Sequence, residues 1–397
     1  MRADLQNKII LILAPHIGPV TWNKLVQHFG SATEVLRASR KAHMEVGLKP
    51  DTCDYLSHPN LTNVEISIKW SQQEGHHILE LGNDDYPKLL STISSPPPLL
   101  FVTGNPALLS HPQIAIVGTR NPSPDGKRTA FEFARDLAAS GFTITSGLAI
   151  GIDKAAHEGA MAGGTTIAVG GTGPDLVYPA AHRNLAHQIV ATGGALVTEL
   201  IPGTKVRKEN FPQRNRIISG LALGTLIVEA ALKSGALITA TTAVDQGREV
   251  FAIPGSVHNP TSKGCHNLIR NGAKLVDTTQ DIVEELASLI GSLQYPAELP
   301  KPVLKTTLPA LPPVLPKATP VAPVPQIEKI VEPQVIEDLD AEHRALLDCI
   351  GYDPIAQEVL IQRSGLTASL VAQMLFMLEL EGYISPVPGG RFIRNRR

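Results

Sequence analysis

The sequence predicts an α/β protein: a Rossmann-like, doubly wound parallel sheet, preceded by a small helical module and followed by a winged helix. Three observations predict it. From about residue 84, short β-rich apolar runs alternate with glycine turns and helical stretches, the pattern of a parallel sheet covered on both faces. Eleven prolines then crowd residues 295–333 with almost no apolar periodicity, which marks a semi-extended linker. Beyond it, three helical patterns are followed by two short β-rich runs. At 397 residues the chain exceeds what one core usually fills, so several domains are expected.

In chain order, residues 1–75 read as a helical module of the SAM or helix-hairpin-helix kind, with helical spacing in Leu5-Ile9-Ile10-Leu13 and in Leu25-Val26-Phe29. Between them Ala14–Val20 contains Gly18. Two readings of this turn stand side by side, a hairpin whose amides hold a DNA phosphate and an ordinary packing turn. Residues 82–290 form the Rossmann-like domain, with strands at Ile114–Val117, Thr143–Thr145, Thr166–Val169, Ala195–Thr198, Leu223–Val228 and Glu249–Ile253. Residues 291–336 are the linker. Residues 337–397 carry helical patterns at Leu339–Ile350, Pro354–Ser364 and Thr367–Glu381, then Tyr383-Ile384 and Arg391-Phe392-Ile393 as a terminal β-ribbon.

Composition restricts the function. The hydrophobic fraction of 43% suits globular packing, while the aromatic share of 4% argues against a stacking platform built from many rings. A formal charge of −2 removes the simplest argument for a nucleic-acid partner, so any basic footprint has to be local. Cys53, Cys265 and Cys349 make no CxxC pair, which indicates neither a zinc site nor a disulfide framework, and no metal is expected. The apolar run Ile9–Ala14 is broken by Pro15-His16 and lacks a cleavage pattern. No stretch approaches the roughly 20 apolar residues of a membrane span. A soluble, cytoplasmic protein is the expectation.

In an open parallel sheet, ligands bind beyond the carboxyl ends of the strands. Four segments there are rich in glycine and polar groups: Gly118-Thr119-Arg120-Asn121, Ser146–Asp153, Gly170–Asp175, and Glu229-Ala230 leading to Ser234-Gly235. Glycines let the backbone approach a ligand, free amides at a helix start favour an anion, and Arg120 adds a fork that matches phosphate oxygens. Gly170–Gly173 lacks the third glycine of a dinucleotide fingerprint and the Gly-Lys-Ser/Thr ending of a Walker loop, so no nucleotide cofactor is expected. Lys205–Arg216 then places five basic residues and one acid within twelve positions. Within it, Phe211 offers a face to a base while Arg214 and Arg216 address the backbone, the usual combination for single strands. Taken alone, such a run also fits a solvated loop.

Together these segments resemble the DNA-processing protein A (DprA/Smf) family. The pattern is carried by Ala115–Arg120, Ser146–Asp153 with Ala156-His157, Tyr178-Pro179, Phe211-Pro212-Gln213-Arg214-Asn215-Arg216-Ile217-Ile218, Val228-Glu229-Ala230, Ser234–Ala240 and Ala252–Gly255. The resemblance implies a non-catalytic protein of natural transformation and recombination that binds and protects incoming single-stranded DNA, helps load RecA, and acts as a homodimer. The site residues expected on this basis are Gly118, Thr119, Arg120, Ser146, Gly147, Arg183, Phe211, Gln213, Arg214, Asn215, Arg216, Ser234 and Gly235. Two departures stand out. Many relatives carry Lys and Asn after Tyr-Pro, whereas Ala180-Ala181-His182-Arg183 follows here, with Arg183 as the substitute. Gly170-Gly171 also replaces the more frequent Leu-Gly.

Two other function classes are compatible with parts of the sequence. Asp153, His157, Glu199 and Glu229 suit a Rossmann-like nucleotide hydrolase. Against it, no Ser, Cys or Lys sits beside a base in a nucleophile arrangement, so Asp153 is expected to cap its helix and Glu229 to anchor a loop amide or arginine. A duplex reader acting through the winged helix is the other class. Its recognition helix, Thr367–Glu381, holds no Lys or Arg, which favours a protein contact, with Arg391, Arg394, Arg396 and Arg397 as a nonspecific DNA tail.

Overall fold

The computed structural model describes residues 2–292, 339–351, 353–387 and 389–395. The chain forms two compact units, Met1–Lys301 and Pro302–Arg397. The linker expected over 291–336 lies outside the described residues except for its first two, which end a helix spanning Thr279–Ser292.

The first unit is organised on nine strands: β1 His76–Glu80, β2 Leu99–Gly104, β3 Gln113–Val117, β4 Thr143–Ser146, β5 Thr166–Val169, β6 Ala195–Thr198, β7 Gly224–Ile227, β8 Glu249–Ala252 and β9 Lys274–Leu275. Their order is β1-β2-β6-β5-β4-β3-β7-β8-β9. The expected strands are β3–β8, each boundary within one residue. The sheet is parallel from β6 to β9, but β1 and β2 add to it in antiparallel sense. The sequence expectation began the sheet at β3, although Leu99-Leu100-Phe101-Val102 between Pro98 and Gly104 is a strand signal; β1, which opens on two histidines, leaves little trace in local pattern.

Period-two alternation explains the two covered faces. Ala115 and Val117 of β3 join a cluster with Ile217, Ile218 and Leu221 of the Asn210–Leu221 helix. Ile114 and Ile116 point the other way, to Phe133 and Leu137 of the Pro124–Ala139 helix and to Ala156 and Ala160 of the Ile152–Gly163 helix. From β3 the chain winds through β4, β5 and β6 to one side and through β7, β8 and β9 to the other. The topological switch point therefore lies between β3 and β7.

The N-terminal helices have their own core around Leu11, Trp22, Leu25, Val35, Cys53 and Leu56. Ile9, Ile10 and Trp70 also pack against Leu99 and Phe101 of β2, so these helices cover one face of the antiparallel extension. In the turn before the Pro19–Phe29 helix, the left-handed residue is His16 (φ 61), held by a 2.9 Å contact from its Nε2 to Asp51, and not Gly18.

The second unit has helices Ala341–Cys349, Gln357–Ser364 and Ala368–Leu380 and a three-stranded antiparallel sheet of β10 Ile355–Ala356, β11 Ile384–Val387 and β12 Arg391–Arg394. Gly365 in left-handed conformation ends the second helix, and the Thr367 hydroxyl caps the third. Leu346, Leu360, Val371, Met374 and Leu378 fill the core, completing a winged helix. Among the described residues no single helix is long and apolar enough to cross a membrane.

Candidate nucleic-acid interface

At the carboxyl ends of β3–β6, four loops lie in a continuous row. The Ile152 amide donates to the Thr119 carbonyl at 3.2 Å, which joins the loop after β3 to the one after β4. Leu148, at the centre of the second loop, has a left-handed backbone (φ 58), unusual for a bulky residue, and His182 bonds its carbonyl at 2.8 Å. Arg214 donates to the carbonyls of Gly147 and Val169, joining the second loop to the third. Asn210 Nδ2 donates to the Gly171 carbonyl at 3.1 Å, and the Gly173 amide to the Thr204 carbonyl at 2.9 Å, which seats the basic segment on the third loop.

Along this row Arg120, Arg183, Lys205, Arg207, Lys208 and Gln213 are exposed. Tyr178 is 46% exposed, and its ring centroid lies 5.5 Å from that of the half-buried Phe211. Gly171 makes this placement sterically open, since a Cβ there would come within 3.0 Å of the Phe211 ring. Beneath Tyr178 is a cavity of about 40 Å³ lined in part by Leu148, Gly170, Thr172, Leu176 and Thr198.

Several expected contacts are corrected. Arg214 was expected on the cationic track but is 6% exposed and faces the loops from inside. The spacing of Arg214 with Ile217, Ile218 and Leu221 puts it on the buried helix face, a signal present in the sequence. Arg216 is engaged with Glu199 in an ion pair whose side chains are each 14% exposed. Ser146 is buried, its hydroxyl donating to the Ile116 carbonyl at 2.6 Å, and Ser234 caps the Gly235–Asp245 helix by accepting from the Ala236 amide at 3.2 Å. Neither hydroxyl is held toward a ligand. Phe211, expected as the stacking face, instead backs Tyr178, a residue not among the expected site residues. Asn215 is half-buried on the Asn210–Leu221 helix, Gly118 and Thr119 are half-buried, and Gly235 is exposed.

Asp153 does not cap its own helix as expected. Its Oδ2 accepts the amides of Gly147, at 3.1 Å, and Ala149, at 3.3 Å. Burial raises the Asp153 carboxyl, opposed first by the charge of Arg214 and then by the two amides and Arg120. Burial likewise brings the Arg214 guanidinium down to about 10, opposed by Asp153, so Arg214 remains a cation at neutral pH. Glu199 is also raised by burial against the pull of Arg216.

The switch-point crevice is closed by Glu229. Its carboxylate accepts the Ser123 amide at 2.9 Å, the Ser123 hydroxyl at 2.6 Å and Asn259 Nδ2 at 3.0 Å, while its carbonyl accepts the Thr119 amide at 2.7 Å. Glu229 is thus the loop anchor that was expected, its carboxylate held by three internal donors. His157 is buried, and desolvation lowers its pKa to about 3. No group of three or more metal-ligating side chains occurs among the described residues.

The fold and site define a Rossmann-like protein whose strand-end segments present exposed cations and an exposed ring, with a winged helix in its second unit. The family described as DNA recombination-mediator protein A matches residues 77–287, and the DprA winged helix domain matches residues 331–390. Protein Smf of Escherichia coli (strain K12) is 38% identical over 86% of this chain and 83% of its own length. Protein Smf of Synechocystis sp. is 35% identical over 95% of this chain and 96% of its own length. Among solved structures, DNA processing protein A (DprA) from Streptococcus pneumoniae superposes with a TM-score of 0.58 at 36% identity, covering 68% of this chain and 98% of that one. The chain belongs to the DprA/Smf family of DNA-processing proteins.

Proposed function

We propose that this protein binds single-stranded DNA without sequence readout, across the loops after β3–β6, and that it does so without chemical turnover. The observation that carries the reading is that the cations Arg120, Arg183, Lys205, Arg207 and Lys208, carried by the segments that follow β3, β5 and β6, are exposed, and that the ring of Tyr178, in the segment after β5, is exposed with them. Cations that track phosphates beside a ring that stacks on any base are the recurring solution for single strands. The flanking carboxylates support a non-enzymatic role, since Glu229, Asp153 and Glu199 are each engaged by internal donors. Protection of incoming strands in natural transformation, transfer to RecA, action as a homodimer and a cytoplasmic location belong to the same reading and rest on family membership.

The test is a binding comparison of a dT oligonucleotide, a duplex of equal length and mononucleotides at two salt concentrations. Single strands are expected to bind tightest, with affinity falling as salt rises by several counterions. Equal or tighter binding of duplex overturns the reading. Nucleotides and dinucleotides are expected to remain intact. Hydrolysis abolished by Glu229→Gln supports a hydrolase instead.

A further inference from the structure

Arg214 sits near the end of the basic segment, yet it cannot serve as the segment's exposed cations Lys205, Arg207 and Lys208 do. It is enclosed by Gly147, Val169 and the Phe211 ring, whose centroid is 6.0 Å from Cζ. Gly147 is packed flat on it: a Cβ there would come within 2.7 Å of Arg214 Cζ. One nitrogen, Nη1, donates to carbonyls on two different loops, Gly147 after β4 and Val169 at the end of β5. Asp153, also buried, makes no ion pair with Arg214 but favours its charged form through space, and it accepts the amides on both sides of Leu148. A buried cation without such partners would carry a desolvation cost of several kcal/mol. The pair therefore grips the Gly147–Ala149 turn from both its carbonyl and its amide side.

We infer that the Arg214–Asp153 pair is a clamp that positions the loops after β4 and β5, and with them the phosphate- and base-contacting groups, while touching no DNA itself. The inference rests on the single-strand reading above. The consequence follows from the connections. Leu148 lines the cavity under Tyr178, and Phe211 lies three residues before Arg214 on the same helix. Releasing the clamp lets the second and third loops shift relative to the basic segment, although every exposed cation is retained. Affinity then falls, while the number of counterions released on binding does not. A direct phosphate contact behaves otherwise, because its loss lowers the salt slope by about 0.7 per phosphate on single strands.

The experiment measures dT-oligonucleotide binding by fluorescence anisotropy across a salt series, with circular dichroism and thermal melting on each variant. Three full-length variants are compared with the wild type: Arg214→Lys, the double variant Asp153→Asn with Arg214→Met, and Lys208→Ala. The double variant removes both buried charges together, which a fold tolerates better than leaving one unpaired. Folded, it is expected to bind about tenfold more weakly, as befits two unmade supporting hydrogen bonds, with an unchanged slope. Arg214→Lys keeps the charge but not the fork, and is expected between the two with the same slope. Lys208→Ala is expected to lower the slope. Wild-type affinity in the folded double variant overturns the clamp, as does a slope reduced like that of Lys208→Ala. If the double variant fails to fold, Arg214→Lys decides: affinity within about twofold of wild type means that charge alone suffices and overturns the clamp. A wild-type protein that does not prefer single strands overturns the single-strand reading instead, independently of any variant.

Discussion

Arg120 and Tyr178 separate the two ways a residue can hold a single strand. Arg120 is exposed on the loop after β3, whose neighbouring groups Thr119 and Ser123 are fixed by Glu229. Its exposed guanidinium is accessible to a phosphate. Arg120→Ala is therefore expected to weaken binding to all sequences alike and to lower the salt slope by about one phosphate. Tyr178→Ala is expected to cost about 1–3 kcal/mol with the slope unchanged, because stacking releases no counterion. Tyr178→Trp restores the ring and is expected to recover most of that loss. Anisotropy titrations at three salt concentrations check all three. A slope change in Tyr178→Ala equal to that of Arg120→Ala would exclude stacking as its role. Phe211→Ala is less informative, since Phe211 is packed against Gly171 and its removal also opens a gap in the fold.

At the scale of elements, the buried Ile152–Gly163 helix carries a titration that is readable from hydrogen-bond direction. The Thr166 hydroxyl donates to the Ile144 carbonyl at 2.7 Å, so it accepts from His157 Nδ1 at 2.8 Å. The proton is thereby fixed on Nδ1, and Nε2 is left buried without a partner. Protonation of Nε2 would place a charge in the core near His182 and Arg214, which is why the pKa is lowered, first by burial, to about 3. The unfolded imidazole takes its proton near 6.5, so this group favours the fold above that pH and loses its contribution as pH falls from about 6.5 toward 3. Asp153 and Glu199 are raised by burial and act in the opposite direction, so the wild type alone does not isolate the effect. The difference does: the melting-temperature advantage of wild type over His157→Gln is expected to shrink between pH 7 and pH 5. An advantage that stays constant over that range would exclude His157 as the titrating group.

The same scale shows which elements the sequence discloses. Strands β3–β8 are short, almost wholly buried runs because helices cover both faces, apolar in the main except for Thr143-Ile144-Thr145-Ser146 of β4, and such runs followed by glycine turns need no partner to be recognised. β1 opens with His76-His77 and is separated from β2 by a segment rich in serine and proline, so its pairing depends on contacts that local pattern does not carry. The loops of the site were legible as glycine turns at strand ends, and Arg120 with them. The division of labour within Lys205–Arg216 was legible only in part. Charge alone groups Arg214 and Arg216 with Lys205, Arg207 and Lys208, whereas helical phase separates them, and the partner Glu199 comes from another strand end. Tyr178 was visible as part of a motif, but its role depends on Phe211 being folded behind it.

For the whole molecule, the remaining question is what the winged helix contributes to binding. It has a core of its own, and its third helix, Ala368–Leu380, contains no Lys or Arg. That helix exposes Phe376 (65%) and Leu380 (72%) where a major-groove reader would present cations or amides. Arg391 is exposed on β12, while Arg394 is bonded to the Leu347 carbonyl and to Asp348; Arg396 and Arg397 lie outside the described residues. The exposed cations proposed to address single strands thus lie in the first unit. Truncation after residue 336 is expected to leave dT-oligonucleotide affinity within about twofold of the full chain, with the salt slope lowered by less than about one phosphate. Full-length Phe376→Glu is expected to bind DNA as the wild type does, since an added charge on a DNA-contacting helix would instead repel phosphate and weaken binding, most visibly at low salt. Anisotropy at matched salt, with melting curves for both proteins, checks the pair. A loss on truncation as large as that of Arg120→Ala, together with a low-salt defect in Phe376→Glu, would place the winged helix within the principal DNA site.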